Sequence, residues 1–329
     1  MITNHSSPWS KDKSYDFLLS TDNYEEILDY LCIEKGKFLQ FWTEKYPQYI
    51  NYLITTPLVK YDWIWCLYLP LIYDVKNHLT NKKDPMIIGF SGLPGSGKST
   101  FAKNLQKLAK QMDISLNVIS LDDFYLPSEK LDVVMRGNPW NVPRGYPGSH
   151  SINEINESIK TFLNSGILSA PTFDKSLRDG KGDRSGWIRD KCDVLLIEGW
   201  FLGCSPISPG IDASIDYEKT LHPPLTKKEI EYRGLIQKTL ESYQPIWSYF
   251  KRVWQLQADS YTNTVSWKEE QEKKLKLTHG SSLEGDQLKS FVRMIKASIP
   301  QQSLQNIKSN VVFKLNKNRQ IIKASINNK

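Results

Sequence analysis

Met86-Ile-Ile-Gly-Phe-Ser91 runs straight into Gly92-Leu-Pro-Gly-Ser-Gly97-Lys98-Ser99, and the join between the two segments decides the fold. A short apolar run of this kind suits a strand buried in a parallel sheet. The second segment satisfies G-x-x-x-x-G-K-[ST] at every fixed position, and its glycines let successive backbone N–H groups curl inward toward a phosphate. Residues Ser99 to Met112 place Phe101, Ala102, Leu105 and Leu108 on one helical face, so the positive end of that helix points at the same phosphate. A glycine-rich surface turn would share the composition, but not the strand before it and the amphipathic helix after it. Gly92, Leu93, Pro94, Gly95, Ser96, Gly97, Lys98, Ser99 and Thr100 are therefore the expected nucleotide-binding residues. Lys98 is expected to reach the β and γ phosphates and to take part in catalysis, and the Ser99 hydroxyl to hold Mg²⁺.

Outward from the cradle, further apolar runs at Leu116–Ser120, Asp193–Ile197 and Val311–Leu315 read as strands. Helical patterns lie at Lys227–Leu240, Tyr249–Leu277 and Gln287–Ala297, whereas Met135–His150 and Asp174–Gly186 read as loops over a site. Strands alternating with helices predict an α/β P-loop fold, a parallel sheet with helices on both faces. Upstream, Tyr24, Ile27, Leu28 and Leu31 form one helical stripe and Trp63, Cys66 and Leu67 another. Residues 1–84 are thus expected to be a helical extension, closed by the polar linker Asn81-Lys-Lys-Asp-Pro85, and residues 85–329 the kinase unit.

Two carboxylate positions complete the chemistry. Ser120-Leu-Asp122-Asp123-Phe-Tyr125 falls at the carboxyl end of the second strand, where α/β sheets carry their sites. Phosphoryl transfer to a hydroxyl needs a carboxylate to take the proton, so Asp122 is the candidate base with Asp123 second. Adjacent aspartates there also suit a helix N-cap. Glu198, ending the third run, can hold magnesium as a Walker-B acid, with Asp122 a further candidate ligand; a capping acid would occupy the same place.

The bulk properties fit this reading. The chain has 329 residues, 40% hydrophobic, 24% charged, and a net charge of +7 with pI near 9.0. That balance is globular and mildly favours anionic partners, without a polybasic tract or an aromatic–basic nucleic-acid motif. Cys32, Cys66, Cys192 and Cys204 lack C-x-x-C spacing, so reduced thiols are expected. Trp63 to Tyr73 is too short and proline-interrupted to span a bilayer, and a cytoplasmic location with no membrane partner is expected. Asn81-Lys-Lys-Asp84 spells N-K-x-D and Asp183-Arg-Ser-Gly186 spells D-x-x-G. The first precedes the cradle, whereas the guanine-selecting motif of GTPases follows it.

At these motifs the chain resembles the phosphoribulokinase, uridine kinase and bacterial pantothenate kinase superfamily. It is most similar to the plant and cyanobacterial type of D-glycerate 3-kinases and their fungal ATP-binding relatives. The likeness is carried by Ser120–Leu126, Arg144-Gly-Tyr-Pro-Gly-Ser-His150, Pro171-Thr-Phe-Asp-Lys-Ser176, Gly182-Asp-Arg184 and Ile197-Glu-Gly-Trp-Phe-Leu-Gly203. It implies a kinase-type fold, ATP with Mg²⁺, and D-glycerate as a small-molecule acceptor. An acceptor with one carboxylate calls for cations and hydrogen-bonding groups, so Asp123, Tyr125, Arg144, His150, Lys175 and Arg184 are the substrate-binding candidates, each also compatible with loop surface. Relatives carry W-R-x-x-x-E on a lid helix; here the stretch is Trp267-Lys-Glu-Glu-Gln-Glu272, so Lys268 takes the catalytic arginine position unless Arg252 or Arg293 reaches in. Other superfamily acceptors (pantothenate, a nucleoside, a sugar phosphate) and a regulatory ATP-binding protein with little catalysis remain alternatives on sequence alone.

Overall fold

The apolar run becomes strand β1, Met86–Gly92, buried along its whole length because it lies inside a sheet covered on both faces. The computed structural model describes residues 22–82, 84–207, 221–279, 283–305, 307 and 309–327. Beside β1 on one side is β5, Val194–Gly199, equally buried, and beyond it β2, Leu116–Ser120. On the other side lie β6, Arg252–Ala258, then β7, Val311–Leu315, and β8, Ile321–Ile326. The six-stranded order β2-β5-β1-β6-β7-β8 is parallel except for the last pair. A separate antiparallel hairpin joins β3, Ile167–Asp174, to β4, Asp183–Lys191. This is the expected α/β fold with a mostly parallel sheet.

Two expectations need correction and a third needs extending. Tyr249–Leu277 is not one helical stretch: Arg252–Ala258 is a strand between β1 and β7, and only Asn263–His279 is helix. Trp254 and Leu256 on one face and Val253 on the other are buried and secure it there, because the slot beside β1 is covered on both faces. The loop expected over 174–186 is shorter, since β3 and β4 reach in from either side. Val311–Leu315 is a strand as read, but another, β8, follows it in the described residues.

Helices Asp22–Tyr30, Lys35–Gln40 and Pro47–Thr55, and the continuous helical run Tyr61–Trp63, Ile64–Tyr68 and Leu69–Asn81, bear out the upstream stripes: Tyr24, Ile27, Leu28, Leu31, Trp63, Cys66 and Leu67 are all buried. They share one core with the sheet. Phe101, on the helix after the cradle, stacks on Phe90 of β1 at 4.5 Å and 16°, and meets Tyr68 of the upstream segment at 4.5 Å. Asp74 pairs with Arg252 of β6 at 3.1 Å. No helix among the described residues is long and apolar enough to cross a membrane.

Phe101 thus ties the upstream helices to the sheet. Phe101→Ala should cost about 3–5 kcal/mol of stability in a urea titration. A loss below about 1 kcal/mol would mean that the aromatic stack contributes little.

Candidate active site

Parallel register builds the site. Glu198 of β5 lies opposite Phe90 of β1 on one side and Ser120 of β2 on the other, so the three strands bring their carboxyl ends to one edge. The cradle leaves the first, the Asp122 turn the second, and Glu198 itself ends the third.

Gly95 and Gly97 take φ of +78° and +103°, the left-handed backbone that favours glycine. Space forbids a side chain as well: a Cβ at Gly95 would fall 2.7 Å from the Trp267 backbone, and at Gly97 3.0 Å from the Trp63 ring. Arg319, in the turn between β7 and β8, donates from Nε to the Gly95 carbonyl at 2.7 Å and pairs with Glu270 at 2.7 Å. Its own carbonyl accepts the Trp63 indole N–H at 2.8 Å. Neither Arg319 nor Trp63 belongs to a motif, and sequence reasoning missed both.

The Ser99 hydroxyl donates to Glu198 Oε1 at 2.6 Å, and the Lys98 ammonium stands 3.6 Å from Oε2. Glu198 is buried, and its Oε2 has no hydrogen-bond partner. A buried carboxylate oxygen left open beside a hydroxyl and a phosphate loop suits magnesium, which keeps several waters and takes one or two protein ligands beside phosphates.

Asp122 lies across from this group. Lys175, from the tip of the β3–β4 hairpin, bonds its Oδ2 at 2.6 Å, and His150 Nε2 is 4.0 Å from Oδ1. Burial alone would raise the Asp122 carboxyl, but the Lys175 ammonium and the His150 ring outweigh it and hold it well below the usual carboxylate range. Burial pulls His150 down despite Asp122, which favours the neutral ring. Tyr243 hydroxyl lies 3.0 Å from His150 Nδ1 while accepting from the Gly148 N–H, so its proton is available to Nδ1. That leaves the hydrogen on Nε2, which is buried without a partner and faces Asp122. Tyr243 is another residue the sequence did not single out.

The other candidates divide. Tyr125 stacks on His150 at 4.5 Å and is buried. Arg144 is buried, donates to the carbonyls of Gly180 and Lys181, and lies 5.8 Å over the Phe173 ring. Asp123 accepts the Ser120 N–H at 2.8 Å, the capping role weighed for this pair. Arg184 points behind the Asp122 turn, bonding the Tyr125 carbonyl and pairing with Glu154. Lys268 is buried against Glu272 at 2.5 Å and 4.8 Å from the Phe291 ring centre. Burial lowers its pKa against the pull of Glu272, with Lys175 and Lys98 near enough to add to the lowering. Arg252 is held by Asp74, and Arg293 by Glu229 and the carbonyls of Pro223 and Pro224.

With this geometry in hand, the chain was compared with known proteins. Residues 85–135 match the family model described as Chromatin associated protein KTI12; these are β1, the cradle, its helix, β2 and the Asp122 turn. The chain is 28% identical over 245 residues to the chloroplastic D-glycerate 3-kinase of Arabidopsis thaliana, covering 70% of this chain and 50% of that one. It therefore spans half the length of that plant relative. It is 30% identical over 228 residues to the probable ATP-dependent kinase TDA10 of Saccharomyces cerevisiae, covering 65% of this chain and 76% of that one. Among solved structures, the D-glycerate 3-kinase of Cryptococcus neoformans superposes with a TM-score of 0.66 at 22% identity, covering 78% of this chain and 96% of the other. At that identity the likeness bears on the fold.

The Asp122–Lys175 pair sets a pH dependence with a definite sign. Because the folded carboxyl is held down, its contribution to stability is present above the ordinary value near ~3.9 and is lost as pH falls through the lower folded value. Lys175→Met should move the acid limb of any rate profile upward by about one to three units; an unmoved limb would show that the ammonium does not control the carboxyl.

Proposed function

This chain belongs to the family of ATP-dependent P-loop kinases that contains TDA10 of Saccharomyces cerevisiae, and from that premise we propose that it phosphorylates D-glycerate at the 3-hydroxyl. Use of ATP and transfer to a hydroxyl follow from the family. The glycerate acceptor is our reading, supported by the D-glycerate 3-kinases among the relatives. The observation that carries it is the Asp122–Lys175–His150 cluster after β2, with Arg144 near enough to join Lys175 as a cation suited to a small carboxylate.

In this reading the cradle amides and Lys98 hold the ATP phosphates in line with the acceptor oxygen. Ser99 and Glu198 would hold Mg²⁺, which supplies charge neutralisation beside the β and γ phosphates. Asp122 takes the acceptor proton as the new O–P bond forms; the bond to the leaving ADP oxygen breaks on the opposite side of the phosphorus. His150 and Tyr125 shape the acceptor pocket, Arg144 and Lys175 balance the acceptor carboxylate, and Asp123 and Arg184 position the turn. We take Lys268 as the cation of a lid formed by helix Asn263–His279. With Glu272 beside it, the ammonium is neutralised until a substrate charge competes. Residues 1–84 are read as an extension and 85–329 as the catalytic unit.

An acceptor screen with ATP and Mg²⁺ should give 3-phosphoglycerate from D-glycerate and little from L-glycerate, pantothenate, uridine or ribulose 5-phosphate. Preference for another acceptor overturns the substrate; bound ATP with no product from any of them supports the regulatory alternative. Asp122→Asn should lower turnover roughly 10²–10⁴-fold and leave ATP affinity within a few-fold. Full turnover in that variant removes Asp122 as the base.

A further inference from the structure

The phosphate cradle opens into a cavity of about 590 Å³, within the range that small-molecule sites occupy. Gly97, Lys98, Ser99 and Thr100 form one end of it, so any phosphate on the cradle lies at its mouth. Asp122, His150, Lys175 and Arg144 take no part in its lining, which separates it from the acceptor cluster. One wall comes from the upstream helical segment, through Val59, Lys60, Trp63 and Tyr68.

That wall is held firmly. Trp63 bonds the Arg319 carbonyl, and its ring packs where a Cβ on Gly97 would lie at 3.0 Å. Asp62 accepts the Ile321 N–H at 2.7 Å, and the Lys60 ammonium bonds the Asn318 carbonyl. The turn carrying Asn318 and Arg319 closes the third side, and Arg319 in turn holds Gly95. The extension, the turn and the cradle are thereby fixed to one another around one space.

We propose that segment 58–63 of the extension is part of the nucleotide site, and that the base and ribose of ATP occupy this cavity while the triphosphate lies on the cradle. This rests on the reading of the cradle as an ATP site. The space is much wider than a phosphate chain needs. The aromatic edge of Trp63 suits a flat heterocycle, and Thr100, Gln271 and Asn318 offer polar edges of the kind that orient one. Residues 58–63 then set nucleotide affinity although none belongs to the phosphate-binding motif.

The test compares two ligands that share the phosphates and differ in the nucleoside. Calorimetric titration of the full chain with Mg²⁺-ATP and with Mg²⁺-tripolyphosphate is run on wild type and on Val59→Trp, which adds bulk to the wall that segment 58–63 gives the cavity. ATP affinity should fall at least about tenfold in the variant while tripolyphosphate affinity changes less than about twofold. Unchanged ATP binding in Val59→Trp overturns the proposal while leaving the ATP reading intact. Equal losses of both ligands in Val59→Trp and in the smaller Val59→Phe also overturn it, since the damage would then lie in the cradle. A wild-type chain that binds neither ligand sinks the ATP reading and this proposal together.

Discussion

Parallel hydrogen bonding forces neighbouring strands to run in the same sense, so the loops that leave them gather at one edge. Here Ser120, Glu198 and Phe90 stand in a single row near the carboxyl ends of β2, β5 and β1. A slip of one residue would turn Glu198 from the cradle to the opposite face of the sheet. Nothing in the loops themselves could restore the 2.6 Å contact between Glu198 and Ser99 after such a slip. The register is held by burial: β1 and β5 are apolar and covered along their whole lengths, so both faces resist displacement. The chemistry is polar, but its alignment is set by a hydrophobic sheet.

The legible part of the molecule is the part whose residues carry a period or a motif. β1, the cradle, its helix, β2, β5 and the buried stripes near Tyr24 and Trp63 could be read from the chain alone. The strand Arg252–Ala258 could not, because the charged helix Asn263–His279 follows closely and its composition dominates a window spanning both. The β3–β4 hairpin was hidden for a different reason. β4 is largely exposed, with Trp187 60% accessible, so no buried face imposes an alternating pattern.

Among the site residues, the difference between facing the site and supporting it was invisible in sequence. Asp122 and Asp123 are adjacent and chemically alike, yet one meets Lys175 and the other caps its own turn. Arg184 and Lys175 lie at the same end of the β3–β4 hairpin, yet the Arg184 guanidinium grips backbone carbonyls of Phe124 and Tyr125. Lys268, in place of an arginine, lies in a buried pair with Glu272. A compact ammonium can be matched there by one carboxylate, whereas a planar guanidinium would leave more N–H groups to satisfy.

The clasp between Arg319 and Gly95 joins residues 224 positions apart. On a ribosome, the glycine loop emerges long before this guanidinium is made, and its strand and helix can form first. The loop therefore reaches its final shape late, after most of the sheet already exists. A nascent chain meets cellular nucleotide with an unfinished grip, and tight binding is deferred until the turn between β7 and β8 has folded back onto the cradle.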